Sequence, residues 1–120
     1  MNERTFKAKL RKLIQARGCY IQSMSSYATN GTPDLWVSGP KGDIWLEVKY
    51  DEKTKGPIKP KLSVLQAKWL HDRLREGRNV AVIVGTGANE AILYQAAWSD
   101  KRGLREPLEK AVDLLLEEVA

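Results

Sequence analysis

Residues 33–49 read PDLWVSGPKGDIWLEVK, and this pattern predicts a β-hairpin. The turn formers GPKG at positions 39–42 separate two short runs of residues that favour strands. In the register that a four-residue loop imposes, Asp34 on the first strand faces Glu47 on the second. The hairpin is therefore expected to make the two carboxylates direct cross-strand neighbours.

Side chains alternate between the two faces of a strand, so the hairpin has one apolar face and one face with polar groups. We expect the apolar face to join the core and the other face to carry the chemistry. The apolar face holds Leu35, Val37, Ile44, Leu46 and Val48, and the other face holds Asp34, Trp36, Trp45, Glu47 and Lys49.

The opposed carboxylates of Asp34 and Glu47 need a positive partner, because like charges in directly opposed positions destabilise a sheet. Lys49 lies on the same face, but one compact ammonium cannot satisfy four carboxylate oxygens. Mg²⁺ typically binds through one or two carboxylates, keeps several waters and takes further ligands from substrate phosphates. This face of the hairpin has the outline of a phosphodiester site, although two strands with a surface cluster of ion pairs would show the same residues.

The spacing of these residues resembles the signature of the PD-(D/E)XK nuclease superfamily, with Pro33-Asp34 followed by twelve residues and then Glu47-Val48-Lys49. Gly31-Thr32 before the signature and Gln66 at the start of a later helix resemble the compact, stand-alone VRR-NUC branch. The resemblance covers roughly residues 3–85. It implies an α/β fold with a restriction-endonuclease-like core, in which helices flank a mixed central sheet in the order α-β-β-β-α-β, followed by a C-terminal extension.

The resemblance also implies a metal-dependent DNA endonuclease that hydrolyses phosphodiester bonds. It assigns metal binding of Mg²⁺ or Mn²⁺ to Asp34, Glu47 and the Val48 carbonyl, with Glu3 as a possible further ligand. Catalysis would rest on Asp34, Glu47, Lys49 and Gln66, and Lys49 would orient or help deprotonate the attacking water. The expected substrate is branched DNA, as for a Holliday-junction resolvase. The alternatives are a nicking or restriction-type nuclease and a non-catalytic DNA-binding or recombination accessory protein.

Two of these residues have simpler structural explanations. Glu3 falls on the apolar stripe of a first helix predicted from Asn2 to about Arg17, but an acid in a first turn also interacts well with the helix N-terminus. Gln66 follows Ser63 by three residues, which is a capping-box pattern at the start of a second helix. Gln66 also points inward on that helix, so an active-site role and a capping role both remain open.

The length of 120 residues predicts one domain, with the core at about 3–85 and a further strand and helix within 88–120. No apolar run approaches the ~18 residues of a membrane span, and the charged N-terminus does not resemble a signal peptide. We expect a soluble, cytoplasmic protein of bacterial or phage type without a membrane partner. A single cysteine, Cys19, excludes an internal disulfide.

The net charge of +5 is unevenly distributed. Residues 106–120 carry a net charge of −4, and the remaining 105 residues carry +9. A basic body indicates a polyanionic partner such as nucleic acid. Segment 50–61 is dense in charge, Gly and Pro and is predicted to be an exposed, flexible loop. The candidate DNA-binding residues are Lys7, Arg11, Lys53, Lys55, Lys59 and Lys61.

The C-terminal part is predicted to add a buried strand at 79–85, a strand near 91–94 and an amphipathic helix over 106–119. The apolar stripe of that helix, which includes Leu116 and Val119, either caps the sheet or joins two subunits. One small subunit offers one acid pair, whereas a symmetric pair of subunits offers two. We therefore expect a homodimer.

Overall fold

The computed structural model describes residues 1–52, 58–95 and 104–120. Its strands form one six-stranded sheet in the spatial order β1-β2-β3-β4-β5-β6. All neighbouring strands are antiparallel except β3 and β4, which are parallel. The predicted order α-β-β-β-α-β and the mixed sheet are confirmed. The elements are α1 (Glu3–Ala16), β1 (Tyr20–Ser23), a 3₁₀ helix (Ser25–Asn30), β2 (Leu35–Gly39), β3 (Gly42–Tyr50), α2 (Val64–Arg75), β4 (Val80–Gly87), β5 (Glu90–Tyr94), β6 (Arg105–Pro107) and α3 (Leu108–Leu116).

The β2–β3 hairpin has the register predicted from its sequence. Leu35 pairs with Leu46 and Trp36 pairs with Trp45. The apolar face of the hairpin is buried beneath α1 and α3. The opposite face is covered in part as well, because Trp45 packs with α2 against β4 and β5 in a second, smaller core. The expectation of one core face and one open face therefore does not hold for β3.

The chain crosses from β3 to the parallel strand β4 through α2. Residues 80–84 of β4 are apolar and buried because α1 and α3 cover one face of this central strand and α2 covers the other. Apolar side chains on both faces of a strand are typical of a strand that is reached by a helical crossover. The crossover places the N-terminus of α2 beside the carboxyl-terminal half of β3.

α1 begins as predicted after Asn2, whose side chain accepts a hydrogen bond from the Thr5 backbone N–H at 2.9 Å. Its buried residues are Phe6, Leu10 and Ile14. Glu3 is exposed, so its expected position on the buried face is wrong. The buried stripe starts one turn later than the sequence pattern indicated. No helix within the described ranges has both the length and the apolar character needed to cross a bilayer.

The C-terminal helix begins at Leu108, whereas the sequence pattern predicted its start at residue 106. Residues 105–107 instead form β6, because they pair with the edge strand β5. The apolar stripe of α3 caps the sheet, with Leu116 2% and Val119 1% exposed. The alternative use of this stripe as a dimer contact is wrong because its side chains are already buried within the chain's own core.

The segment before α2 is less exposed than its composition suggested. Ile58 and Pro60 are buried, whereas Lys59 and Lys61 between and after them are exposed. Ile58 belongs to the core cluster beneath α2, and its carbonyl accepts a hydrogen bond from the Tyr94 hydroxyl. The apolar residues therefore hold this part of the segment against the sheet, so the prediction of a wholly exposed loop is wrong here.

Candidate active site

Asp34, which directly precedes β2, is joined to Glu47 and Val48 of β3 by two hydrogen bonds. The Asp34 backbone N–H donates to Glu47 Oε1 at 3.2 Å. The Val48 backbone N–H donates to Asp34 Oδ2 at 3.0 Å. Each carboxylate therefore accepts a hydrogen bond from a backbone N–H across the hairpin. These two bonds lie just beyond the last backbone pair of the β2–β3 ladder. The structure thus brings together the two acids that the sequence predicted to be neighbours.

The local sequence explains why the backbone ladder stops at this point. β2 begins at Leu35, two residues after Pro33, which has no N–H to donate to a neighbouring strand. In a strand the N–H and C=O of one residue point to the same side. The Val48 carbonyl is therefore directed, like its N–H, toward the side on which Asp34 lies. This geometry adds a third oxygen donor beside the two carboxylates.

Lys49 and Gln66 complete a closed network around the Glu47 carboxylate. Glu47 Oε2 lies 3.1 Å from Lys49 Nζ and accepts from Gln66 Nε2 at 3.0 Å. Gln66 Oε1 accepts from Lys49 Nζ at 3.2 Å and from the Ser63 backbone N–H at 3.0 Å. The Ser63 N–H can only donate, which fixes the orientation of the Gln66 amide and directs its NH₂ toward Glu47. The two roles left open for Gln66 are thus linked, because the capping box holds the amide in the site.

The Glu47 carboxylate is buried, and its surroundings disfavour the charged form. Glu47 is 2% exposed, and burial raises the pKa of its carboxyl group. The neighbouring Asp34 charge raises this pKa further, and Lys49 partly opposes the increase. A carboxylate in this state gains from any additional positive charge.

The Asp34 carboxylate has its own ammonium partner, contributed by α1. Lys7 Nζ lies 3.3 Å from Asp34 Oδ1, with side-chain exposures of 34% for Lys7 and 21% for Asp34. The sequence indicated Lys7 only as a DNA-binding residue. Its contact with Asp34 depends on how α1 packs across the sheet, and no local pattern in the sequence signals it.

Glu3 lies apart from this network. It is exposed at the rim of a cleft of about 630 Å³, which Lys49, Lys59 and Lys61 also line. Among residues 1–52, 58–95 and 104–120, no three Asp, Glu, His or Cys side chains are grouped so that they could hold a metal ion. The structure therefore does not bring Glu3 into one ligand cluster with Asp34 and Glu47.

The remaining oxygen donors fit a hard divalent cation. Mg²⁺ binds through one or two carboxylates and completes its shell with waters and phosphate oxygens, so two carboxylates and one carbonyl match its usual protein ligands. The buried Glu47 carboxylate beside Asp34 would attract such a cation. Asp34, Glu47 and the Val48 carbonyl stay the predicted ligands of Mg²⁺ or Mn²⁺.

The basic residues predicted to bind DNA occupy two depressions that share Glu3. Lys7 and Arg11 line a shallow one on α1, and Lys59 and Lys61 line the larger cleft that Lys49 also borders. The predicted contacts at Lys53 and Lys55 lie outside the described residues.

Comparison with known proteins identifies the fold. No protein-family model matches the sequence, and no curated protein is similar to it. Among solved structures, the chain is similar to Hjc, a Holliday junction resolvase from the archaeal hyperthermophile Archaeoglobus fulgidus, with a TM-score of 0.53 and 16% sequence identity. The match covers 93% of this chain and 88% of the resolvase chain. The predicted nuclease-like α/β architecture is confirmed, and the VRR-NUC resemblance stays a prediction.

Proposed function

We propose that this chain is a metal-dependent nuclease that hydrolyses phosphodiester bonds in branched DNA. The observation that carries the proposal is the buried Glu47 carboxylate, which is held against Asp34 with Lys49 beside it. A buried carboxylate beside a second carboxylate destabilises a fold, and perturbed carboxyl groups of this kind are concentrated at functional sites. The fold shared with a Holliday junction resolvase supports the same class of activity.

Asp34, Glu47 and the Val48 carbonyl are the proposed ligands of Mg²⁺ or Mn²⁺. When bound, such an ion lowers the pKa of a coordinated water and stabilises negative charge that develops on the phosphate. The backbone hydrogen bonds to both carboxylates hold their remaining lone pairs in place before an ion enters. The hairpin therefore preorganises the donor oxygens.

Lys49 and Lys7 are proposed to exchange partners during binding. Their ammonium groups now neutralise Glu47 Oε2 and Asp34 Oδ1, respectively. Both oxygens would be ligands of a bound divalent cation, and the ammonium groups of Lys49 and Lys7 would then be available to substrate. Lys49 would then orient the attacking water and counter charge on the phosphate, and Lys7 would contact a backbone phosphate.

Gln66 is proposed to keep Glu47 oriented throughout this exchange. Its Nε2 donates to Glu47 Oε2, and its Oε1 remains fixed by the Ser63 N–H whether or not Lys49 moves. If Lys49 moves away, the Gln66 amide still donates a hydrogen bond to the buried Glu47 carboxylate, which is not left without a donor.

Resolution of a four-way junction requires cuts on two strands, and one chain has one acid pair. We therefore propose that the active form is a homodimer with two such sites. A measurement of mass by light scattering, alone and with a four-way junction, tests this proposal. A single chain on the junction would contradict it.

The proposed activity is tested with Asp34→Asn and Lys49→Ala, assayed for cleavage and for binding of the same four-way junction. We expect cleavage to be lost and binding retained in both variants, because most of the basic surface lies outside the acid pair. Asp113→Asn, which removes an α3 carboxylate that pairs with Arg17, is the matched control and should cleave normally. Binding by the wild type without any cleavage would favour the accessory-protein alternative.

A further inference from the structure

A row of aromatic side chains lies beside the acid pair. The Trp36 and Trp45 rings have centroids 6.4 Å apart. Tyr20 of β1 meets Trp36 edge-on at 6.0 Å, and Trp69 of α2 meets Trp45 at 5.2 Å. The row thus runs from the edge strand β1 across β2 and β3 to α2, and it includes three of the chain's four tryptophans.

The row is next to the candidate active site on the same face of the sheet. Trp36 follows Asp34 by two residues, and Trp45 precedes Glu47 by two residues. Two residues along a strand span roughly 6.6 to 6.8 Å. On this face, the Trp36–Trp45 pair is therefore the first cross-strand pair beyond the two carboxylates.

The half of this face over β1 and β2 is open. Tyr20 is 57% exposed and Gln22, which pairs with Trp36, is also exposed. The core beneath α2 draws its strand residues from β3, β4 and β5 and includes none from β1 or β2. The exposed Tyr20 ring and the half-buried Trp36 ring therefore offer accessible aromatic surface on the face that carries the acid pair.

The Trp36 ring is held in a fixed orientation. Its Nε1–H donates to Asp43 Oδ2 at 3.2 Å, and Asp43 Oδ1 accepts from the Ser38 hydroxyl at 2.8 Å. The polar edge of the indole is thus satisfied within the sheet, and its orientation is set before any ligand arrives. A prearranged ring loses less conformational freedom on binding.

We propose that the Tyr20–Trp36–Trp45 row stacks an unpaired base of the DNA strand whose phosphate lies at the acid pair. This inference rests on the proposed function and adds a basis for its substrate preference. Aromatic side chains bind nucleotide bases of any sequence through their π-faces. A base inside a duplex has both faces covered by its neighbours, whereas a base at a branch point can expose one.

The charges around the row favour a nucleic-acid occupant. Lys49 lies on the same face at the acid pair, and the Arg73 guanidinium lies 5.4 Å from the Trp69 ring centroid at the α2 end. One cationic group therefore lies at the acid pair beside the row, and a second lies at its α2 end. A basic groove combined with aromatic side chains is the usual arrangement for binding single strands.

The test compares Trp36→Leu, Trp36→Phe and Tyr20→Ala in chelator, so that no cleavage is required. Fluorescence anisotropy measures binding to an oligothymidine strand, to a flap with unpaired bases and to a blunt duplex. Trp36→Leu should weaken binding of the strand and the flap by about 5- to 100-fold, with duplex binding changed by less than about twofold. Trp36→Phe should restore most of the loss because it keeps a π-face.

Tyr20→Ala keeps the inference testable if Trp36→Leu unfolds, because the Tyr20 ring is mostly exposed. It should weaken binding of unpaired DNA by at least about fivefold. Leu104→Ala is the matched control, since Leu104 is 75% exposed and precedes the opposite edge strand β6. It should leave all three affinities unchanged.

Equal weakening of all three DNAs, or no change in any, would overturn the stacking site. A fall in molecular mass with Trp36→Leu and unchanged affinity for unpaired DNA would also overturn it, because the row would then be a contact between copies. These outcomes differ from failure of the proposed function. A wild type that binds unpaired DNA through the row but never cuts would contradict only the nuclease.

Discussion

Removal of the Lys7 ammonium is expected to change metal binding and DNA binding in opposite directions. Lys7→Met keeps the length of the side chain and deletes the charge that neutralises Asp34 Oδ1 at 3.3 Å. In the wild type, a divalent cation at Asp34 must first break this ion pair. In the variant it does not, so the metal affinity should increase.

The size of the increase follows from the exposure of the pair. Lys7 and Asp34 are 34% and 21% exposed, so solvent partly screens their attraction. Ion pairs of this kind contribute about 0.5 to 1 kcal/mol. That free energy corresponds to an increase in metal affinity of about two- to fivefold. Loss of one phosphate contact should weaken DNA binding and reduce the slope of log affinity against log salt by up to about 0.9.

Calorimetric titration with Mn²⁺ measures the first effect. Anisotropy with Mn²⁺ at several salt concentrations measures the second, with each substitution placed in a Lys49→Ala background so that the DNA is bound but not cut. Arg11→Met is the matched control, because it removes the same charge one helical turn further along α1. It should weaken DNA binding without increasing metal affinity. Unchanged or lower Mn²⁺ affinity in Lys7→Met would refute the proposed exchange of partners.

Three further predictions concern the support of the site. Ser63→Ala removes the N-cap of α2 and should lower the free energy of unfolding by about 1 kcal/mol, or the melting temperature by about 4 °C, with weaker Mn²⁺ binding because Gln66 is less fixed. Gly31→Ala should lower melting by at least about 4 °C, since Gly31 has φ +80° and a Cβ there would lie 2.4 Å from the Leu65 carbonyl oxygen; unchanged melting would contradict the close approach. Because the folded-state pKa of Glu47 is raised, its contribution to stability is largest at low pH and is lost as the pH rises through that pKa. In the presence of chelator, the wild type should therefore lose stability relative to Glu47→Gln as the pH rises from acidic to neutral. A difference between their melting temperatures that stays constant with pH would contradict this.

The hairpin was predictable because its information is local. Turn formers and alternating apolar residues fix the register of Trp36 against Trp45, and a slip of one residue would exchange the two faces. This register also places Asp34 opposite Glu47. The capping box at Ser63 was visible for the same reason, since its three-residue spacing is contained in one turn.

The errors arose where distant contacts override a local pattern. Residues 106–107 belong to the predicted helix, but they instead pair with the edge of β5 as part of β6. Ile58 lies in a charged segment, yet it packs beneath α2 beside β4 and β5. The Lys7–Asp34 contact similarly requires the packing of α1 against the sheet.

Cleavage of labelled four-way-junction, flap, duplex and single-stranded DNA is the most direct measurement. The wild type is assayed in Mg²⁺, Mn²⁺ and chelator beside Glu47→Ala, which deletes the buried carboxylate at the centre of the network. We predict metal-dependent cutting that is greatest on the junction and the flap and is lost in the variant. Equal cutting by Glu47→Ala, or no cutting of any substrate by a wild type that binds them, would contradict a nuclease built on Asp34 and Glu47.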